Sequence, residues 1–310
     1  MAGIKYCNSI SALISIQGFG EEKYINMMIL NKEHTMRYIF LDEVDSTNNE
    51  IKRLAEKGYE DMTVVSADSQ TAGRGRLGHS WTSPKGTSIA TSILIRPEKL
   101  DIKMTQLPRI TILTAVAVLD AIEHATGLTA GIKWPNDVLL HDKKVCGILT
   151  ELCFMPKDAF AHQSDYSILH KAGNKYIVIG IGINVTVRDF PDEIKDMATS
   201  MSIAMEQAGK SKEEIEKLSR RSIIENVWTN FSYYYHEFLK TGNLNFIKKK
   251  YESRLVNIGR MVKVEDPNGE YEAKALGIDY AGKLLIEVGE DEYRAIDSGE
   301  VHVRGLYGYV

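Results

Sequence analysis

The stretch from Tyr176 to Val187 constrains the fold more than any other. It is strongly apolar, reads as a β-strand, and holds two glycines in the run Ile179-Gly180-Ile181-Gly182-Ile183-Asn184-Val185. Glycine weakens a strand interior, because it loses more backbone freedom on folding and offers no side chain to pack. Two of them point either to a ligand or backbone pressed against the sheet, or to a β-bulge.

The rest of the chain alternates helix and strand signals. Met36 to Phe40 reads as a strand. Asp45-Ser46-Thr47-Asn48 opens a helix, with Thr47 and Glu50 spaced as a capping box and Gly58 as its stop. Thr63 to Ala67 and Ser88 to Ile95 are strands flanking a basic, glycine-rich loop from Gln70 to Trp81. A helix is expected from about Thr105 to Ala125, with Leu107, Ile110, Leu113, Ala117 and Ala121 on one face and Gly127 ending it. Gly131 to Leu140 and Lys144 to Leu152 read as a two-stranded hairpin joined at His141-Asp142-Lys143. Ser211 and Glu214 form a second capping box, opening a long helix that runs to about Leu239. After Ile258 the texture changes to about five short alternating strands, separated by turns such as Asp266-Pro267-Asn268-Gly269, as in a small SH3-like barrel. The expected organisation is therefore an extension over 1–35, a catalytic-sized domain over 36–255 and a barrel over 256–310. The extension is expected to be poorly ordered, and Met27, Met28 and Met36 are alternative starts. Residues 155–174 are polar and irregular and read as a surface insertion.

Composition narrows the function classes. The formal net charge of −4 lacks the overall basic footprint of a nucleic-acid binder. Lys248-Lys249-Lys250 is the one compact basic run, read as a solvated helix face. No apolar run reaches the roughly 18 residues of a membrane span. Cys7, Cys146 and Cys153 show neither zinc nor CxxC spacing, and their odd number argues against a disulfide framework; a reducing, cytoplasmic setting is expected.

Four segments carry candidate chemistry. Gly73-Arg74-Gly75-Arg76-Leu77-Gly78 combines close-approach glycines with two planar cations suited to phosphate or carboxylate. It is neither a P-loop nor a Rossmann fingerprint, and a mobile surface loop is the plainer alternative. Lys133-Trp134-Pro135-Asn136-Asp137 presents an aromatic, an amide and a carboxylate beside a lysine, or else a core tryptophan at a strand end. Lys144 precedes the apolar strand Val145-Cys146-Gly147-Ile148-Leu149. There it can offset charge on a transferring phosphoryl group, unless it is an ordinary turn lysine. The glycine-bearing strand is the fourth.

Taken together and in this order, these segments resemble the biotin–protein ligase family in sequence and spacing, from Met36 to the C-terminus. Asp45-Ser46-Thr47-Asn48, Trp81, Gly277-Ile278-Asp279 and Ser298-Gly299-Glu300-Val301 add to the likeness. The resemblance implies an α+β fold: a mixed sheet with helices on one side, like the class II aminoacyl-tRNA synthetases and biotin ligases, plus the SH3-like barrel. It implies that biotin and ATP, with Mg²⁺, are the substrates, and that a biotin carboxyl carrier protein is the partner. Ser46, Thr47, Asn48, Gln70, Arg74, Gly75, Arg76, Lys144 and Gly147 would contact biotin. Trp81, Asn136, Ile183 and Asn184 would contact the nucleotide, with Lys144, Arg76 and Lys133 catalytic and no protein-built metal site. Asp137 matches a family position near the reaction. A lipoate–protein ligase of the same fold is the rival enzyme, and a non-catalytic biotin sensor the rival of another class. Residues 1–35 are too few for a winged helix-turn-helix, so the expected form is a single-function ligase without DNA binding. Neither monomer nor homodimer is favoured.

Overall fold

The computed structural model describes residues 11–12, 24–31, 34–82, 84–96, 106–155, 175–266, 269–298, 302–305 and 309. Nine strands form one mixed sheet. In chain order these are β1 (Ser11–Ala12), β2 (Tyr24–Asn31), β3 (His34–Leu41), β4 (Thr63–Ala67), β5 (Ser88–Ile95), β6 (Gly131–Lys133), β7 (Asp137–Leu140), β8 (Lys143–Phe154) and β9 (Lys175–Asn184). Their spatial order is β1-β2-β3-β4-β5-β9-β8-β7-β6, antiparallel except for the parallel pair β3–β4. Strands β1 and β2 fall within the stretch read from the sequence as an extension.

Period-two alternation decides which face each element covers. Ile177, Ile179, Ile181 and Ile183 of β9 face the main core with helix α2 (Leu107–Thr126), while Val178 faces the other way with Leu94, Ile39 and Val65. Helix α1 (Thr47–Glu56) packs there through Ile51, Leu54 and Ala55. One helix thus covers a corner of the second face, and the longer helices cover the first. Helix α2 is buried nearly all round rather than along a stripe, because a further helix, Arg220–Thr241, lies against it. Each fully buried Ile or Leu side chain contributes about 1.5–3 kcal/mol.

Three local readings change. The Thr47/Glu50 capping box does not form: Ser46 is the N-cap, and the Thr47 amide donates instead to Gln70 Oε1 at 2.8 Å, while Glu50 turns to Arg53. The Ser211/Glu214 box forms in full, but it opens only a short helix, Lys212–Glu216, which follows another at Met201–Gln207; Ser219 then caps the separate helix Arg220–Thr241. The expected strand over 131–140 folds back at Trp134-Pro135-Asn136, giving β6 and β7. Tight turning there lets both halves pair, which a straight strand at the sheet edge would not. The lysine run lies in helix Asn245–Glu252, where Lys248 pairs with Glu252 and Lys250 with Asp120. The insertion beyond Met155 lies outside the described residues.

The C-terminal strands β10 (Met261–Asp266), β11 (Gly269–Ile278), β12 (Leu284–Gly289), β13 (Glu292–Ile296) and β14 (His302–Gly305) form a second antiparallel sheet, ordered β13-β12-β11-β10-β14. Its apolar side joins the main core. Buried Trp134 ties the two sheets, its indole Nε1 donating to the Gly282 carbonyl at 3.0 Å and its backbone amide donating to Asn257 Oδ1 at 2.9 Å. Gly282 has φ +84°, and a Cβ there would press on Ile112 of α2.

Candidate active site

The site is organised by one row of paired residues crossing five strands. Ala90 pairs with Gly182, Gly182 with Gly147, Gly147 with Asp137, and Asp137 with Lys133. Directly paired residues share a face of the sheet. The row therefore begins as a floor of small residues and ends in two charges. A cleft of about 470 Å³, open to solvent, lies over it.

The floor explains the glycines. A Cβ on Gly182 would run into the Trp81 indole, and one on Gly180 into the Asn48 amide. No bulge interrupts β9 at these positions, so close approach is their reason. Trp81 lies across Gly147 and Gly182, and its buried Nε1 has no hydrogen-bond partner among the described residues.

The polar end of the cleft sits at the start of α1. Ser46, Thr47 and Asn48 are buried there. Glu151 Oε2, which can only accept, takes a 2.7 Å hydrogen bond from Asn48 Nδ2, and this fixes the amide orientation. Asn48 Oδ1 then accepts from Ser92 Oγ at 2.6 Å. Thr47 Oγ1 lies 2.7 Å from Ser92 Oγ and 3.1 Å from Gln70 Oε1, with one proton to give. Buried polar groups linked in this way hold a fixed donor–acceptor pattern.

The cationic end comes from the loop and from β8. The loop is stitched to the lead-in of α1 by Thr71 N to Val44 O and Ala72 N to Asp45 O, and closed on itself by Gly75 N to His79 O and Trp81 N to Gly73 O. Arg74 Nη2 donates to Asn49 Oδ1 at 2.6 Å and lies 3.9 Å from Glu151. Arg76 donates to Asn136 Oδ1 at 2.8 Å and, from the other guanidinium nitrogen, to the Ser298 carbonyl at 2.5 Å. Burial lowers the Arg76 pKa and Asp137 opposes that shift. The group stays cationic at neutral pH.

Lys144 reaches the cleft because β8 is bulged. Val138 pairs with Cys146 but Leu139 pairs with Lys144, so Val145 is the extra residue. Val145 and Cys146 are consecutive yet both buried in the core. Lys144, three residues from Gly147, would face away from it in a regular strand; the bulge returns it to the same face. Its ammonium sits 2.8 Å from Asp137 Oδ1, and its backbone is held by Met197 O and Thr199 N. An ordinary turn lysine has no such anchoring.

Two family models match this sequence: the biotin/lipoate A/B protein ligase family over residues 40–162, and the biotin protein ligase C-terminal domain over 258–304. The chain is 37% identical to the bifunctional ligase/repressor BirA of Bacillus subtilis over 280 residues, which is 90% of this chain and 78% of that protein. It is 27% identical to the biotin–[acetyl-CoA-carboxylase] ligase of Mycobacterium tuberculosis, covering 84% and 87% of the two chains. The chain belongs to the biotin/lipoate protein ligase family. Among solved structures, the biotin protein ligase of Aquifex aeolicus in complex with biotin and ATP superposes with a TM-score of 0.68 at 32% identity, covering 86% of this chain and 98% of that one.

In this member of the family, Ser46, Thr47, Asn48, Gln70, Arg74, Gly75, Arg76, Trp81, Asn136, Lys144 and Gly147 line a single cleft, although the sequence spreads them over about a hundred positions. Three expected residues do not line it. Ile183 is buried on the opposite, core-facing side of β9. Asn184 is buried at the strand end and donates to Thr199 O at 3.1 Å. Lys133 is buried at the far end of the row, its ammonium donating to the Tyr309 carbonyl at 2.5 Å. Sequence reasoning missed Ser92, Glu151, the Ser298 carbonyl and Tyr309. Ser298 lay inside a motif already quoted and Glu151 inside the strand read from Lys144 to Leu152; Ser92 and Tyr309 carried no signal of their own.

Proposed function

We propose that this chain is an ATP-dependent biotin–protein ligase. The observation that carries the reading is one cleft with a fixed amide–hydroxyl network at one end and Arg74, Arg76 and Lys144 at the other. The network suits a small polar ring, and the cations suit a carboxylate and a phosphate. A biotin carboxylate oxygen attacks the α-phosphorus of ATP, and pyrophosphate leaves. The amine of a carrier lysine then attacks the carbonyl of the biotinyl-adenylate, loses a proton, and AMP leaves. Two anions meet in the first step, and preorganised cations lower that barrier. Folding of the Arg74–Arg76 loop over the adenylate would exclude water until the carrier arrives. Trp81 and Asn136 are assigned to the nucleotide side and Ser46, Thr47, Asn48 and Gln70 to the biotin ring.

No carboxylate lines the cleft, and among the described residues no cluster of three His, Cys, Asp or Glu side chains is placed to hold a metal. Such a donor set would suit a Mg²⁺ brought in by ATP, with Asp137 the carboxylate beside Lys144 at that end, and the ion would supply charge neutralisation. The acceptor assigned is a biotin carboxyl carrier protein. The single-function form is part of the proposal, supported by the net charge of −4; specific retention of a biotin-operon operator at physiological salt would overturn it. Among the described residues no helix is long and apolar enough to cross a membrane, and Cys146 and Cys153 are free thiols, which supports a reducing compartment.

ATP–pyrophosphate exchange measured separately with biotin and with lipoate tests the substrate. Exchange with biotin is expected; exchange with lipoate alone makes the chain the other kind of ligase in the family. Lys144→Ala should lose most of the exchange while remaining folded.

A further inference from the structure

Tyr309 lies outside every motif, yet it closes the charged end of the row. Its hydroxyl donates to Asp137 Oδ2. Its carbonyl accepts from Lys133 Nζ at 2.5 Å, and the same ammonium lies 3.6 Å from the centre of its ring. Asp137 Oδ1 takes the Lys144 ammonium at 2.8 Å and a longer hydrogen bond from Asn136 Nδ2 at 3.2 Å. Burial, with Asp137 adding to it, pushes the Tyr309 phenol well above its ordinary pKa, so it remains a proton donor.

The arrangement solves a competition. Asp137 has a lysine on each side: Lys133, its direct partner across the hairpin, and Lys144. Close opposite charges in a partly dry site attract strongly. A carboxylate free to rotate would divide itself between them. Tyr309 holds Lys133 against its ring and carbonyl, and fixes one Asp137 oxygen so that the other faces Lys144.

We propose that Tyr309 is a positioning residue for adenylation, acting through Asp137 to set the Lys144 ammonium. Through it, the C-terminal part of the chain completes a site that otherwise lies on the large sheet, as Ser298 does through Arg76. The proposal rests on Lys144 being the reacting cation.

The test is steady-state, biotin-dependent ATP–pyrophosphate exchange by the full chain and its variants, with thermal melts alongside. Tyr309→Phe keeps the ring over Lys133 and removes only the hydroxyl. Hydrogen bonds to charged groups are worth enough that kcat should fall about tenfold, with KM for biotin within twofold, because Ser46, Thr47 and Asn48 lie at the other end of the cleft. Tyr309→Ala should lose severalfold more. In an Asp137→Asn background Tyr309→Phe should add little, since the two changes break the same link. A purely structural tyrosine would lower the melting temperature and leave kcat well below the melt unchanged. An unchanged kcat in Tyr309→Phe, or an equal loss with and without Asp137, overturns the proposal. Exchange abolished by Lys144→Ala but untouched by Tyr309→Phe removes the positioning role and leaves the site standing. Exchange undiminished in Lys144→Ala removes both.

Discussion

Gly182→Ala isolates the role of the small-residue floor. A Cβ at Gly182 would overlap Trp81 Cε2 and stand 2.7 Å from its Nε1 and Cζ2, where ordinary contact begins at 3.4 Å, so one partner must retreat by about 1 Å. The strand cannot: Gly182 is hydrogen-bonded between Ala90 of β5 and Gly147 of β8, in the middle of the sheet. Trp81 sits on an irregular loop and moves instead. Overpacking of this kind costs about 1–3 kcal/mol, and relief through a loop puts the stability cost at the low end. That corresponds to a fall in Tm of about 2–4 °C for a domain of 150–250 residues. Ligand binding should suffer more. If the indole stacks on the base of ATP, a contact of about 1–3 kcal/mol, its displacement raises KM for ATP about tenfold while KM for biotin changes little. Fluorescence reports the movement directly, because Trp134 and Trp228 are buried and unaffected. A red shift of emission with weakened ATP binding is expected. Unchanged emission and an unchanged KM for ATP would refute the argument.

Two further outcomes follow from the polar end. Ser92→Ala removes the donor to Asn48 and a partner of Thr47 without touching the cleft lining. Leaving such groups unsatisfied costs about 1–3 kcal/mol, so KM for biotin should rise about tenfold, as read by exchange at saturating ATP; an unchanged value would dissolve the network. The second concerns Asp45, whose carboxyl is held well below the usual range, first by its hydrogen bond from Arg53. Its folded pKa lies below its unfolded one, so its stabilisation is present at neutral pH and is lost as pH falls below about 4. The group is well exposed, which limits the effect to under about 1 kcal/mol. Asp45→Asn should lower Tm by a few degrees at pH 7 and by clearly less at pH 2; an equal loss at both would contradict the linkage.

The motifs gave the residues of the cleft but not the geometry that joins them. Gly180 and Gly182 were legible because a central strand tolerates missing side chains only where something presses on it. The SH3-like strands were legible from their alternation and turns. The bulge at Val145 was not, because its signature is a change of pairing partner and not a residue type. Gln70 as a substitute helix cap was equally hidden: Thr47 and Glu50 satisfy the local pattern, and a side chain from 23 positions away outcompetes it. Ser92 looked like any strand serine, and Tyr309 like any aromatic near a chain end. Both matter through partners distant in sequence, which no local window contains.

The same geometry explains how several cations can share one small cleft. Arg76 and Lys144 are like charges facing one partly dry cleft and would repel each other if left alone. Asp137 sits between them, beside Lys144 and close enough to oppose the shift of Arg76. Its charge offsets their repulsion and holds Lys144 in place while no phosphate is present. When the anions of the reaction arrive, the donors are already aimed, and little reorganisation remains to be done in the transition state. The bulge that turns Lys144 inward and the tyrosine that turns Asp137 toward it then serve one end. The first puts the ammonium on the right face of the sheet, and the second holds it there against the competing pull of Lys133.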